Sequence, residues 1–155
     1  MNTQNETEVT SDEYDAALAL VLSEHERWTK GSGPIREGRW LDLSGVDLTC
    51  ADLTGANLAG VQMCDANLTG TWLYGADLTG AILHDATLTG ADLRYANLTW
   101  ANLGNATLCG AILMGANLDG AHLTNAIMTD YKSADFYYPD QERLNQMRRA
   151  QNGTP

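Results

Sequence analysis

The sequence has few aromatic residues and little positive charge. It contains one Phe in 155 residues, and aromatics make up 7% of the chain, so a core built on aromatic rings is not expected. Its 9 Lys and Arg face 20 Asp and Glu, which gives a net charge of -11. This balance argues against direct nucleic-acid binding, because phosphate binding needs clustered basic side chains. It is compatible with a basic protein partner.

Cysteines, long apolar runs and leader features are also scarce. Cys50, Cys64 and Cys109 are too few and too scattered for a disulfide framework or a zinc site. The N-terminal sequence MNTQNETEVTSDEYD has neither the basic nor the apolar region of a signal peptide. No stretch approaches the roughly 18 apolar residues of a membrane helix. We therefore expect a cytoplasmic protein without membrane contact, and its 44% hydrophobic residues suffice for one domain with a buried core.

Residues 41–130 repeat every five residues without a gap. Examples are ADLTG at 51–55, ANLTG at 66–70 and ATLTG at 86–90. The third residue of each block, here called the centre, is Leu except at Met63 and Met128, and the residue two before it is usually Ala. The repeat thus places two apolar residues, separated by one polar residue, in nearly every block.

A period of five excludes a continuous helix or strand. On a helix the centres would spread around the whole cylinder, and on a strand successive centres would point to opposite faces. The chain must therefore turn once per block, with Ala and Leu pointing inward from a three-residue extended piece. Gly, Asn or Asp at most second corner positions supply the conformations that tight turns require.

A second regularity appears when the blocks are aligned every 20 residues. The second corner position then holds Gly45, Asp65, Asp85, Asn105 and Asn125. This recurrence predicts four blocks per coil. The corner side chains would then form a ladder from coil to coil, held by hydrogen bonds between them. At about 4.8 Å between coils, the repeat would form about four and a half coils and a rod of roughly 20 Å.

The repeat resembles the A-(D/N)-L-x-x pattern of the pentapeptide-repeat family. The resemblance implies an all-β solenoid, a right-handed quadrilateral β-helix, and it indicates the fold more specifically than the function. We expect a disordered tail at 1–10 and an N-terminal helix and linker that cap the solenoid at 11–40. The β-helix is expected at 41–130, followed at 131–155 by a C-terminal cap, a short helix and a tail.

A solenoid exposes its core at both ends, so caps are expected. Ser11 and the acids after it predict a helix start, and Leu18, Leu22 and His25 follow at helical spacing. A helix folded over the first coil is the favoured interpretation, and docking on a partner is the alternative. The sequence HERW at 25–28 resembles the lead-in of many bacterial and phage-encoded members.

The C-terminal end has two open interpretations. A short helix is predicted at about 140–150, and it could cap the rod. In topoisomerase-directed relatives this end forms a dimer interface, so the resemblance leaves a monomer or a homodimer open. The residues concerned are Phe136, Tyr137, Tyr138, Leu144 and Met147.

No residues are arranged for catalysis, metal binding or a cofactor. The acids of the repeat are expected to be exposed, without the desolvation that tunes catalytic pKa values. His84 and His122 would lie about 10 Å apart, two coils away from each other, which is too far for one metal. No cysteine has a His in its own block. We therefore expect a non-enzymatic interaction or scaffold module.

One face of the predicted rod carries aromatic and apolar residues, whereas the others carry mostly Thr, Asn and Asp. It is the face that holds Leu53, Leu73, Leu93 and Leu113. Exposed aromatics around an Arg are typical of an interface core. A partner, self-association, or cover by a terminal segment remain open. The candidate interface residues are Trp72, Tyr74, Arg94, Tyr95, Ile112 and Met114, of which the aromatic and apolar ones are expected to be exposed around Arg94.

The charge of the rod gives a second hypothesis. Residues 41–130 hold nine acids and one base, for a net charge of -8. Acidic rods of this kind resemble the quinolone-resistance members of the family, which implies a DNA mimic that binds gyrase or a related topoisomerase. A solvated acidic surface that keeps the rod soluble is the alternative. The candidate acids are Asp42, Asp47, Asp52, Asp65, Asp77, Asp85 and Asp92.

Overall fold

The computed structural model describes residues 11–30 and 41–128. Within these ranges it contains one helix, α1, at Ser11–Thr29, and a four-sided coil over 41–128. The predicted tail at 1–10, the linker at 31–40 and the C-terminal segment lie outside the described residues. That segment includes the cap or dimer candidates Phe136, Tyr137, Tyr138, Leu144 and Met147.

Neighbouring coils pair in parallel with an offset of 20 residues. The pairs begin with Asp42 and Gln62 and end with Thr107 and Ile127. The backbone N–H of each centre from Leu43 to Leu108 donates to the next coil, as Leu48 does to the carbonyl of Asn67 at 2.8 Å. The register is therefore the one that the 20-residue recurrence predicts.

A turn follows each centre and limits the pairing. The N–H of Ala51 donates to the carbonyl of Leu48 at 3.1 Å, which closes a four-residue turn. The residue before the closing Ala has a positive φ, 64° at Gly80, as the third residue of a type II turn requires. Because the chain turns every five residues, each block pairs with its neighbour through a single bridging residue, and the described residues contain no longer strand.

Where the outward residue before a centre is Asp or Asn, its side chain holds the following turn. The Oδ1 of Asp47 accepts the backbone N–H of Thr49 at 3.0 Å and its hydroxyl at 2.6 Å. The Oδ1 of Asn67 accepts the same two groups of Thr69, at 3.2 Å and 2.7 Å. A carboxylate and an amide oxygen serve this turn equally, which explains why Asp and Asn alternate at this position.

The inward Ala and Leu side chains fill the interior of the coil. The centres from Leu48 to Leu103 are fully buried, and Met63 takes the place of a leucine with no exposed area. Thr71 occupies an Ala position, and its hydroxyl donates to the carbonyl of Leu48 at 2.7 Å. The core thus satisfies the one hydroxyl that it buries.

Helix α1 lies against the first coil. Leu18 and Leu22 pack against the core cluster, and the buried ring of His25 is 3.2 Å from the carbonyl of Ala59 through Nε2. Burial lowers the pKa of His25, and the hydrogen bond to that carbonyl partly opposes the shift. In the described part of the chain, no helix has the length and apolar character needed to cross a membrane.

Candidate interaction surface

Four exposed aromatic side chains lie on two consecutive faces and corners of the rod. We call Trp72, Tyr74, Tyr95 and Trp100 the aromatic patch. Their exposed fractions are 58%, 43%, 55% and 67% respectively. Trp72 and Tyr74 flank the buried Leu73, whereas Tyr95 and Trp100 occupy adjacent corners of the following coil. Such a cluster of exposed rings is typical of an interaction surface.

Contacts within the patch fix the positions of two rings. The rings of Tyr74 and Tyr95 meet edge to face, with their centroids 5.4 Å apart. The guanidinium carbon of Arg94 lies 5.5 Å from the centroid of Tyr74, within the range of a cation–π contact. These contacts organise the surface before any partner arrives, which lowers the entropic cost of binding.

Asp92 holds Arg94 in place through two hydrogen bonds. Its Oδ1 accepts from Nε at 2.8 Å and its Oδ2 from Nη2 at 2.6 Å. This bidentate arrangement lowers the pKa of Asp92 and raises that of Arg94. Arg94 is the only base in the sequence from 41 to 128, and Asp92 and Tyr74 both engage it.

Tyr95 and Trp100 have a backbone conformation that bulky residues rarely adopt. Their φ angles are 58° and 60°, in the left-handed region that costs an L-residue about 1–2 kcal/mol. Both side chains remain more than half exposed, so most of each ring stays available to a partner. Backbone strain of this kind is concentrated at functional sites.

Glycines of the next coil make room for these two rings. A Cβ at Gly115 would come within 2.6 Å of the Tyr95 ring, and a Cβ at Gly120 within 2.4 Å of the Trp100 ring. Each ring therefore lies over the backbone of a corner that has no side chain. Any other residue at 115 or 120 would displace the ring.

The structure brings together four of the six predicted interface residues: Trp72, Tyr74, Arg94 and Tyr95. Ile112 and Met114 belong to the same face but are partly buried, so the expectation that they are exposed is corrected. The prediction also missed Trp100, the most exposed aromatic of the described residues. Its sequence signal is a Trp in a corner column that otherwise holds Gly60, Gly80 and Gly120.

The acids proposed for DNA mimicry have several local roles. Hydrogen bonds from the hydroxyl and N–H of Ser44, Thr49 and Thr54 lower the pKa values of their partners, which are Asp42, Asp47 and Asp52 respectively. Five candidates are exposed, but Asp77 and Asp92 are partly buried, which corrects the expectation for these two.

The predicted corner ladder is hydrogen bonded between Asn105 and Asn125. The amide nitrogen of Asn125 donates to Oδ1 of Asn105 at 3.2 Å. Asp85 instead pairs with Nδ1 of His84 at 2.5 Å. Side-chain bonding along the stack is therefore seen at its C-terminal end, and the local pair with His84 engages the acid.

The described residues contain no group of His, Cys, Asp or Glu that could hold a metal ion. Cys50, Cys64 and Cys109 are all free thiols. The absence of enzymatic activity and of a cofactor stays a prediction.

Comparison with known proteins identifies the repeat and several similar folds. A family model for pentapeptide repeats matches eight copies, at residues 42–80, 62–99 and 91–130. HetL, a pentapeptide repeat protein involved in heterocyst differentiation regulation in the cyanobacterium Nostoc sp. strain PCC 7120, is 45% identical with a TM-score of 0.56. That match covers 57% of this chain and 41% of HetL.

Two further solved structures are similar. Rfr23 from the cyanobacterium Cyanothece 51142 is 40% identical with a TM-score of 0.60, over 61% of this chain and 65% of Rfr23. A pentapeptide repeat protein of the Arabidopsis thaliana thylakoid lumen is 38% identical with a TM-score of 0.58, over 77% of this chain and 86% of its own. The chain spans less than two thirds of HetL and of Rfr23. No curated protein sequence matches it.

Proposed function

The chain belongs to the pentapeptide-repeat family, whose members form right-handed β-helical solenoids, and we propose that it is a non-enzymatic interaction or scaffold module. It binds a protein partner through the aromatic patch on the side of an acidic rod. One observation carries this proposal: Tyr95 and Trp100 keep exposed rings at corners where φ is 58° and 60°. The fold itself is served at the other corners mostly by Gly, Asn and Asp.

The energetic argument compares strain with burial. Two left-handed aromatic residues cost about 2–4 kcal/mol together, at 1–2 kcal/mol each. Trp100 is 67% exposed, so contact with the rod uses the smaller part of its surface to offset this cost. Burial of the two rings in an interface would recover it, because aromatic anchors dominate binding energies.

We assign α1 the role of an N-terminal cap. Leu18 and Leu22 cover apolar side chains of the first coil, and His25 donates from Nε2 to the carbonyl of Ala59. A cap of this kind shields the open end of a solenoid from pairing with other chains. The helix thereby leaves the side of the rod as the binding surface.

Quantitative pull-down with three forms of the protein tests the proposal. The wild type is compared with Trp72→Ala/Tyr74→Ala and with the control Ile127→Ala, which removes an apolar side chain that is 50% exposed on another face. We expect the wild type and the control to retain the same partner and the patch variant to lose it. Equal capture by all three forms would rule out the patch as the binding surface.

Light scattering of the same three proteins covers self-association. A homodimer that dissociates only in the patch variant identifies a second copy of the chain as the partner. Circular dichroism tests whether all three forms keep the same β content. A loss of β content in the patch variant alone is addressed by repeating the assays with the milder Trp72→Leu.

Gyrase inhibition by DNA mimicry is the second candidate, and the charge of the rod favours it. Duplex DNA carries one charge per about 1.7 Å, or roughly 12 over a length of 20 Å, compared with a net -8 over residues 41–130. Several of the acids also hold turns, which accounts for part of the charge without mimicry. Supercoiling by purified gyrase, with and without a quinolone, tests this candidate, and no effect at stoichiometric excess would eliminate it.

A further inference from the structure

Arg94 shows within the rod how the patch accommodates a cation. Its guanidinium lies over the Tyr74 ring at 5.5 Å while Asp92 holds it by two hydrogen bonds. The combination of an aromatic face and a carboxylate is the environment in which a guanidinium binds well, since it can stack on the ring and donate two hydrogen bonds to the carboxylate at the same time. Arg94, Tyr74 and Asp92 thus already form one complete arrangement of this kind.

Trp72 has the same surroundings without a cation of its own. In the stack of coils it bridges Asp52 on one side and Asp92 on the other. Asp92 is engaged by Arg94, whereas the exposed Asp52 accepts hydrogen bonds from the N–H of Thr54, at 3.0 Å, and from its hydroxyl within the same turn. The indole, which is the strongest cation–π acceptor among the side chains, therefore lies beside a second carboxylate.

Trp100 offers a second indole near an acid. Its ring lies over Gly120, and its backbone N–H donates to the carbonyl of Asp119 at 2.9 Å. Asp119 is exposed and directly precedes that glycine. Each of the two tryptophans of the patch thus keeps an exposed indole, and its backbone pairs with that of an acidic residue on a neighbouring coil.

We propose that the aromatic patch binds an arginine-rich segment of a partner protein, with one guanidinium on Trp72 beside Asp52 and another on Trp100. The inference rests on the proposed function and specifies the chemistry of the partner. Charge complementarity supports it, because the rod from 41 to 130 has nine acids and a single base. Arginine is favoured over lysine because only its planar group stacks and pairs at the same time.

Binding of synthetic peptides to the full chain tests the inference. The probe is a labelled peptide of alternating arginine and glycine, compared with a charge-matched lysine–glycine peptide and an uncharged proline-rich peptide. We expect the arginine peptide to bind at least about threefold more tightly than the lysine peptide. Trp72→Leu should weaken arginine-peptide binding by roughly 3–10-fold, and Trp72→Leu/Trp100→Leu by more.

A matched pair of acid variants separates local pairing from general attraction. Asp52→Asn and Asp47→Asn remove the same charge, and both keep an oxygen for the turn, as Asn57 does by accepting the N–H of Ala59 at 3.2 Å. Asp47 lies on another face, in the stack with Asn67. We expect Asp52→Asn to weaken binding by roughly 2–5-fold and Asp47→Asn to weaken it less.

Three outcomes would overturn the inference. Equal binding of the arginine and lysine peptides that is insensitive to Trp72→Leu would reduce the effect to the charge of the rod. Equal losses in Asp52→Asn and Asp47→Asn would do the same. Tighter binding of the proline-rich peptide would assign the patch to polyproline recognition. In each case, the proposed function would still stand if the patch variant alone failed to capture the partner in the pull-down.

Discussion

Two corners of the same column, Gly80 and Trp100, have the same backbone and different side chains. Their φ angles are 64° and 60°, and they lie one coil apart. Nothing lies within 4 Å of a Cβ placed at Gly80, whereas Trp100 projects a ring that is 67% exposed. The turn therefore has no need of a large side chain, and glycine forms it with less strain. The contrast separates residues that the solenoid requires from residues that it merely carries.

The difference extends to the corners that follow. Gly75 and Gly80 have open space around them, but Gly115 and Gly120 lie beneath aromatic rings. A glycine at the first two positions serves only the backbone conformation, while a glycine at the last two also makes room for a ring. Glycine thus has a different tolerance to substitution at these two pairs of positions.

Removal of a core leucine should have the largest effect on stability, and it should affect the glycine corners and the aromatic corners alike. Leu78 is fully buried, so Leu78→Ala should lower the free energy of unfolding by about 2–5 kcal/mol. Urea titration followed by circular dichroism and by tryptophan fluorescence measures it. Because the corners share one core, the two signals should shift together, and a shift confined to one signal would show that the patch unfolds independently.

Alanine at the two kinds of glycine corner should separate them. Gly80→Ala introduces a Cβ at positive φ and should cost about 1–2 kcal/mol. Gly120→Ala has the same cost and in addition brings its Cβ within 2.4 Å of the Trp100 ring, so the ring must move. We expect a larger loss of stability and a change in tryptophan fluorescence for Gly120→Ala alone. Identical spectra for both variants would refute the packing of Trp100 over Gly120.

Replacement of Trp100 by asparagine should have a smaller effect of the opposite sign. Asn105 and Asn125 already adopt φ angles of 57° and 58° at equivalent corners, and asparagine tolerates this region well. Trp100→Asn should therefore raise the free energy of unfolding by about 0.5–1 kcal/mol while weakening the binding of the arginine peptide. Urea titration and the peptide assay measure the two effects. A destabilised variant would mean that Trp100 contributes more to the fold than to binding.

Acidification should produce the smallest effect on stability per residue, and the effect should be the same for Asp47 and Asp52. Their pKa values are lowered by hydrogen bonds from Thr49 and Thr54, so each favours the folded state above its unfolded pKa of about 3.9. This contribution is lost as the pH falls through the lower folded pKa. Unfolding monitored from pH 6 to pH 2 should show that the free energy of unfolding falls below about pH 4. This fall should be smaller in Asp47→Asn and in Asp52→Asn, by the same amount in each. A difference between the two would indicate that the patch perturbs Asp52.

The leucine period predicted the interior because it depends on the chain alone. The spacing of Leu48, Leu53 and Leu58 admits one geometry in which all three point inward, and the 20-residue recurrence sets the pairing of coils. The family model and the similar structures support the solenoid that the repeat predicts. The number of coils, the two caps and the division into four segments stay predictions.

Exposure on the outside was harder to predict because neighbouring coils determine it. Ile112 and Met114 occupy outward positions, yet neighbouring atoms partly cover them. Trp100 stands on a face that otherwise carries mostly Asn, Asp, Thr and Gly, so no apolar neighbour in its own column signalled it. The strain at Tyr95 and Trp100 depends on φ, and the sequence signalled it only through aromatic residues at positions usually held by Gly, Asn or Asp.

The 20-residue register determines how the rod responds to changes in chain length. Duplication of 20 residues is a translation along the axis: every later side chain keeps its face, and the rod grows by about 4.8 Å. Duplication of five residues between Trp72 and Tyr95 is a rotation by a quarter turn, which would move Tyr95 and Trp100 away from Trp72. Gene rearrangements of these two sizes therefore have separate outcomes, since one extends the molecule and the other redistributes its surface chemistry around a nearly unchanged core.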